Sequence, residues 1–148
     1  MIICEHSGTV VAERKPRASP EKEKQPLSGG GRVMILSGIW TMPGSQYDLY
    51  AILHLQAAGH ADGTINWHAN QVHGVQLSYS AIEKVSGLLL EQRVTLLAYE
   101  TDPMLYPDHY RISLAGDSGS GSFHGTSETC YKDWSGRMRG TYMFLNQG

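Results

Sequence analysis

Hydrophobic and polar residues alternate along most of the chain from about residue 33 onwards. In "YDLYAILHLQA" (47–57), every odd-numbered residue is apolar or aromatic, whereas the even-numbered ones include Asp48, His54 and Gln56. The same period of two recurs in 63–70, 93–100, 109–116 and 137–145. Because successive side chains of a strand point to opposite faces, this pattern predicts half-buried β-strands rather than helices.

Glycine, proline and polar clusters divide this pattern into candidate strands. We assign them to residues 33–42, 46–57, 63–71, 74–79, 85–90, 93–100, 109–115, 121–129 and 137–145. The fourth and fifth are ambiguous, because "GVQLSYSAIEKVSGLLLE" (74–91) also fits one strand with a helical turn near 80–84. Short strands separated by turn signals predict an all-β fold.

A recurring phrase predicts how these strands are arranged. "GHADGT" (59–64), "GSFHGT" (121–126) and "GRMRGT" (136–141) each have a glycine, three residues and then Gly-Thr. Glycine inside a strand often marks a bend or a close approach of two backbones, and such bends let a sheet curl into a barrel. We therefore expect an antiparallel up-and-down barrel of about eight strands.

The first 32 residues differ in composition from the rest. "AERKPRASPEKEKQPLSGGGR" (12–32) is charged, contains three prolines and a Gly-Gly-Gly run, and has few large apolar residues. Such a segment buries too little surface to offset its chain entropy. We expect a flexible, disordered tail over 1–32 and a barrel domain over 33–148, with "GTVVA" (8–12) open as a short edge strand.

Charge and cysteine content narrow the cellular setting. The 148 residues carry a formal net charge of -2, which argues against a nucleic-acid partner. No apolar run predicts a membrane span or a signal peptide, so we expect no membrane partner and a cytoplasmic location. Cys4 and Cys130 are expected to stay reduced, since neither lies in a metal-binding pattern.

"GIW" (38–40), on the first predicted strand of a meander with Gly-x-x-x-Gly-Thr hairpins, resembles the calycin superfamily. This superfamily includes lipocalins, fatty-acid-binding proteins and avidins. In lipocalins the Gly-x-Trp tryptophan packs across one end of the barrel, and the resemblance gives that position to Trp40. "DGTINW" (62–67) is similar to a Gly-Thr hairpin of avidins. The resemblance implies a small barrel that binds a small ligand.

Among the histidines, His54 and His68 are the best candidate pair of metal ligands. With a hairpin centred near His60, His54 and His68 become diagonal neighbours on one face of two adjacent strands. A zinc site needs three or four ligands, and no third accompanies this pair, so we expect no metal.

Sequence motifs for covalent or phosphate chemistry are also missing. "GDSGSG" (116–121) resembles a serine-protease phrase, but the chain is too short for a two-barrel protease. The same stretch lacks the Lys-Ser/Thr of a phosphate-binding loop, and we expect no cofactor. An enzyme remains an alternative through "YETDPMLYPDHY" (99–110), where three acids, three tyrosines and a histidine are concentrated.

The aromatic residues favour a non-enzymatic module that binds a small hydrophobic or aromatic ligand inside the barrel. An eight-stranded barrel either fills with side chains or holds one small ligand, so a packed core and a hollow one both remain open. The packed alternative is a protein-interaction or accessory domain, with a protein partner or self-association. The candidate ligand-binding residues are Trp40, Tyr50, His54, Trp67, His68, Tyr99 and Tyr142.

Overall fold

The computed structural model describes residues 32–102, 108–117, 119–129 and 134–146. Within these ranges the chain forms eight strands and one short 3-10 turn, Ala57–Gly59. The strands are β1 Arg32–Met42, β2 Ser45–Leu55, β3 His60–Val72, β4 Val75–Leu90, β5 Arg93–Thr101, β6 Asp108–Gly116, β7 Ser120–Thr129 and β8 Gly136–Asn146.

Each strand pairs antiparallel with the next, and β8 pairs with β1 to close the barrel. The all-β, up-and-down barrel expected from the sequence is therefore confirmed. Trp40 on β1 pairs with a residue on each neighbouring strand, Tyr47 on β2 and Met138 on β8. Gly38 and Gly140 face each other across the same junction, where an added Cβ on Gly38 would lie 2.0 Å from the Arg139 carbonyl oxygen. The expected role of strand glycines, close backbone approach, holds at this pair.

The doubtful region 74–91 is one long strand. β4 has 16 residues, and Ser80 to Lys84 pair continuously with β3, so the two separate strands and the helical turn expected there were wrong. The apolar pattern was misleading because in β4 an acid faces the interior and an apolar residue faces outwards. Glu83 is buried inside the barrel, whereas Ile82 is half exposed on the outside.

The register of β2 against β3 also corrects an expectation. The hairpin is centred on residue 58, not 60, because Ala57–Gly59 forms the turn and His60 already begins β3. His54 therefore pairs with Asp62, and His68 pairs with Asp48. At about 3.3 Å per residue, six residues of strand separate the two histidine positions by roughly 20 Å, so they are not diagonal neighbours.

The barrel has two ends, which we name after residues that lie near them. The Trp40 end carries the β1–β2, β3–β4, β5–β6 and β7–β8 connections; the Tyr142 end carries the other three connections, the first residue of β1 and the last of β8. The β1–β2 connection is the expected Pro43-Gly44 turn, with φ +83° at Gly44. Inward-facing residues on all eight strands form one core.

Several sequence-based expectations fall outside the described residues. These are the edge strand over 8–12, the reduced state of Cys4 and Cys130, and the flexible tail over 1–32 except for Arg32, which the structure places as the first residue of β1. Among the residues that the structure does describe, no helix is long and apolar enough to cross a membrane.

Candidate functional site

All three tryptophans of the chain line one cavity at the Trp40 end of the barrel. The cavity has a volume of about 170 Å³. Its lining consists of aromatic side chains, one valine, one histidine and two carboxylic acids: Trp40, Tyr47, Trp67, Val72, His73, Tyr79, Glu83, Asp108, Tyr110 and Trp134. The barrel is thus neither solid throughout nor hollow throughout.

The aromatic rings form a connected wall. The ring of Tyr47 meets Trp40 edge-on at 5.5 Å and Trp67 edge-on at 6.0 Å between centroids. Trp134 lies 5.6 Å from Trp40 and 5.2 Å from the ring of His73. Edge-to-face contact is a preferred arrangement of aromatic pairs, and through it Tyr47 joins Trp40 and Trp67 into one wall.

Gly136 makes room for the indole of Trp40. A Cβ on Gly136 would lie 2.2 to 2.5 Å from three atoms of the Trp40 ring system. The indole nitrogen of Trp40 donates a 2.6 Å hydrogen bond to the hydroxyl of Ser127 on β7, and both residues are buried. The absent side chain at position 136 and the hydroxyl at position 127 together fix the orientation of this ring.

Glu83 is the first of two buried acids in the cavity and is 1% exposed. Its Oε1 accepts hydrogen bonds from Trp67 Nε1 at 3.1 Å and from the hydroxyl of Tyr110, and its Oε2 accepts from Thr101 at 3.5 Å. Burial raises the pKa of Glu83 to about 7, although these three hydrogen bonds act in the opposite direction. Three donors from three strands hold this side chain in place.

Asp108 is the second buried acid, at 6% exposure. It accepts a hydrogen bond from Ser127, while its Oδ1 has no hydrogen-bond partner among the described residues. Burial and, to a smaller extent, the negative charge of Glu83 raise the pKa of Asp108 to about 9, although the Ser127 hydrogen bond acts in the opposite direction. Near neutral pH, Glu83 therefore carries charge more readily, and Asp108 retains its proton.

Three phenols, those of Tyr47, Tyr79 and Tyr110, complete the polar lining. Tyr47 and Tyr79 share a 2.7 Å hydrogen bond between their hydroxyls. Burial is the main cause that raises the pKa of both Tyr47 and Tyr110, so both stay neutral. The site can thus present a carboxylate at Glu83, an acidic proton at Asp108 and neutral phenols within one aromatic enclosure.

Of the seven predicted ligand-binding residues, the structure brings Trp40 and Trp67 together in the cavity. Tyr142 is buried in the barrel interior but near the opposite end, where its hydroxyl donates to the Asp117 carbonyl oxygen at 3.0 Å. The remaining four lie on the outer face, at the exposed or partly exposed positions of Tyr50, His54, His68 and Tyr99. The ring nitrogens of His68 lie within hydrogen-bond distance of Ser80 and Ser78 there. A shared binding role for all seven is not supported by their placement.

Sequence reasoning missed Glu83 as a site residue. The signal was present, since Ala81, Glu83 and Val85 share one face of an alternating segment, and an acid on an apolar face is unusual. This signal was difficult to recognise because the opposite face of the segment also carries apolar residues. Asp108 and Tyr110 belong to the acidic segment 99–110 that was considered for an enzyme, whereas its Glu100 is exposed and pairs with Lys84 at 3.5 Å.

In the part of the chain that the structure describes, no three histidine, cysteine or acidic side chains are grouped closely enough to hold a metal ion. The chemistry that the cavity offers is therefore that of two carboxylic acids and aromatic rings.

Comparison with known proteins gives no match among family models, curated proteins or solved structures.

Proposed function

We propose that this protein is a non-enzymatic binding module that holds a small, one-ring aromatic ligand in the cavity at the Trp40 end. The observation that carries the proposal is that every tryptophan of the chain lines this single cavity. Ligand pockets combine aromatic walls with a few polar groups that fix orientation, and this cavity has both.

The size of the cavity supports a ligand of one ring. A cavity of roughly 150 Å³ is known to accept benzene. The cavity here has a similar volume, about 170 Å³. A fatty acid or a steroid would need several times more space, so the expected hydrophobic or aromatic ligand is narrowed to a compact aromatic one.

Kinship with calycins and a cytoplasmic location are part of the same proposal. The closed barrel of eight antiparallel strands and the burial of Trp40 near one end are what supports the kinship. The ligand proposal does not depend on either.

Intrinsic tryptophan fluorescence of the full chain tests the proposal directly, because all three emitters contact the cavity. Toluene, phenol and benzamide are titrated separately, and we expect a saturable change in emission with at least one of them. Val72→Phe fills the cavity without removing a tryptophan and is expected to abolish the change. Leu77→Phe makes a similar enlargement at a 42% exposed position outside the lining and serves as the matched control. Saturable binding that survives Val72→Phe, or no binding by any compound, would contradict the proposal.

A second candidate is self-association through the outer face of β4, which would make this an interaction domain. Five apolar side chains of this strand are 37% to 60% exposed: Val75, Leu77, Ile82, Leu88 and Leu90. Exposed apolar patches are typical of protein–protein contacts. Sedimentation of the full chain would give a dimer mass that Ile82→Lys reduces to the monomer mass; a monomer at every concentration argues against this candidate.

A further inference from the structure

The described lining of the cavity includes two carboxylic acids, Glu83 and Asp108, and no lysine or arginine side chain. Among its described lining residues, His73 is the single side chain able to carry a positive charge, and it lies against the ring of Trp134. Buried acids in proteins are normally paired with a cation or a metal. The described lining residues therefore supply no lysine or arginine that offsets the charge of these two acids.

The two acids differ in how well they are satisfied. Glu83 receives three hydrogen bonds from the protein, whereas Asp108 Oδ1 receives none although the residue is only 6% exposed. A buried acceptor without a donor destabilises the folded protein, and more so when it is charged. Since Asp108 lines the cavity, a ligand N–H group placed there would remove this destabilisation.

The aromatic wall favours the same kind of ligand. The faces of tryptophan and tyrosine rings attract cations, and the attraction strengthens when water is excluded. Trp40, Trp67, Trp134 and Tyr47 surround the space next to the two acids. An anion would meet two carboxyl groups and negative ring faces, and would be excluded.

We propose that the ligand is a one-ring organic cation, such as an aryl amidine, whose N–H groups donate to Asp108 while its ring lies among the tryptophans. This inference rests on the proposed function of the cavity and specifies the chemical class that the cavity accepts. A quaternary ammonium ion, which has no N–H to donate, would leave Asp108 Oδ1 unsatisfied and should bind less tightly.

Binding of this cation also requires a proton to leave. Asp108 holds a proton near neutral pH, because its pKa is raised to about 9. The cation BH⁺ pairs with the carboxylate form, so BH⁺ binds, the Asp108 O–H bond breaks, and one H⁺ passes to solvent. The affinity for the cation should therefore rise with pH up to about 9, while that of a neutral analogue should not.

Other groups near Asp108 do not account for such a rise. The titratable groups that face the cavity are Glu83 and Tyr79 on β4, Tyr110 on β6, Tyr47 on β2 and His73 in the β3–β4 turn. The phenols of Tyr47 and Tyr110 stay neutral. Glu83, with a pKa of about 7, is already largely ionised at pH 7.5, so its titration contributes little above that pH. Four further strands, β1, β3, β5 and β7, contribute Trp40, Trp67, Thr101 and Ser127. None of these four side chains titrates. The range between pH 7.5 and 9 therefore reports chiefly on Asp108.

The test compares three probes of the same shape on the full chain: benzamidine (a cation), benzamide (neutral) and benzoate (an anion). We expect benzamidine to bind about tenfold or more tightly than benzamide at pH 8, and benzoate not to bind. From pH 7.5 to 8.5, benzamidine affinity should rise about three- to tenfold, as release of up to one proton requires. Calorimetry in two buffers with different ionisation enthalpies measures that proton release on the unmodified protein.

Asp108→Asn should weaken benzamidine binding at least about tenfold, remove its pH dependence and leave benzamide binding in place. Asp48→Asn, at an exposed position of β2, is the matched control and should change neither. If benzamide binds and benzamidine binds no better, or without proton release, the cation inference is overturned while the proposed function stands. If neither these probes nor toluene and phenol bind, both fail. Because proton release is measured on the unmodified chain, a poorly folded Asp108→Asn variant does not leave the inference undecided.

Discussion

The two ends of this barrel are built by the same eight strands but are filled with different chemistry. Towards the Tyr142 end, Met34, Leu53, Val85 and Val94 are completely buried and apolar. Towards the Trp40 end, the interior holds Glu83 and Asp108 among aromatic rings, around a cavity of about 170 Å³. One end is a close-packed core, and the other is an enclosure with space inside.

This difference separates the residues that stabilise the fold from those that form the candidate site. Burial of aliphatic side chains stabilises a protein, whereas burial of an acid without a cation destabilises it. The Trp40 end therefore lowers the stability that the Tyr142 end provides. Two buried acids in a cavity have the raised pKa values that mark functional sites more often than structural ones.

The largest effect is expected from creating a hole at the packed end. Leu53→Ala removes a fully buried side chain from β2 and should lower the free energy of unfolding by about 2–5 kcal/mol. Ile52→Ala is the control. Ile52 precedes Leu53 on the outer face of the same strand and is only partly buried, so this substitution should lower the free energy of unfolding by less. Urea denaturation measures both. Equal losses would contradict the inward assignment of Leu53.

At the Trp40 end, stability should depend on pH in an unusual direction. The pKa of Asp108 is near 3.8 in an unfolded chain and about 9 in the folded protein, so between these values the folded state keeps a proton that the unfolded state loses. The free energy of unfolding must then fall as pH rises, by up to about 1.4 kcal/mol per pH unit for one proton. Glu83 adds to this slope between its usual pKa of 4.5 and about 7.

Urea denaturation of the unmodified chain and of Asp108→Asn at pH 6, 7, 8 and 9 isolates the contribution of Asp108. The variant should become progressively more stable relative to the unmodified chain as pH rises. Glu83→Gln should show this relative gain only below about pH 7. A difference that stays constant with pH would show that Asp108 ionises as an exposed acid does.

The packed end was the more predictable of the two from sequence. Alternation places Leu49, Leu53 and Ile65 on the inner face without any long-range information, and the structure buries all three. Turn chemistry such as Pro43-Gly44 marks where strands reverse. These are local properties, so a fold class and most strand bounds follow from them.

The candidate site was less predictable because it depends on register and on distant pairs. Glu83 meets Tyr110 across 27 positions of sequence, and Trp40 meets Ser127 across 87. An error of two residues in the centre of the β2–β3 hairpin was enough to bring His54 and His68 together wrongly. Trp40 and Trp67 were found because large aromatic residues on the inner face must lie in the interior, whichever strands adjoin them.

A smaller effect is expected where Gly136 admits the Trp40 ring. Gly136→Ala places a methyl carbon where the ring atoms now lie, so the indole must move, at a cost of about 1–3 kcal/mol. Tryptophan emission should shift, and the fluorescence response to one-ring ligands should weaken. Gly119→Ala, at an exposed position where the nearest atom to the added carbon is 3.6 Å away, is the control. An unchanged emission spectrum in Gly136→Ala would mean that the ring does not occupy this position.

The smallest effect is expected from Tyr142→Phe, which separates the two ends most sharply. This variant keeps the ring against Phe144 at the packed end and removes only the hydrogen bond to the Asp117 carbonyl oxygen, so it should cost about 1 kcal/mol. Because Tyr142 is not part of the cavity lining, the affinity for one-ring ligands should not change. Urea denaturation and fluorescence titration of the same preparation give both values. A loss of affinity without a matching loss of stability would show that Tyr142 belongs to the binding site. It would also mean that the space at the Trp40 end extends through the barrel towards Tyr142.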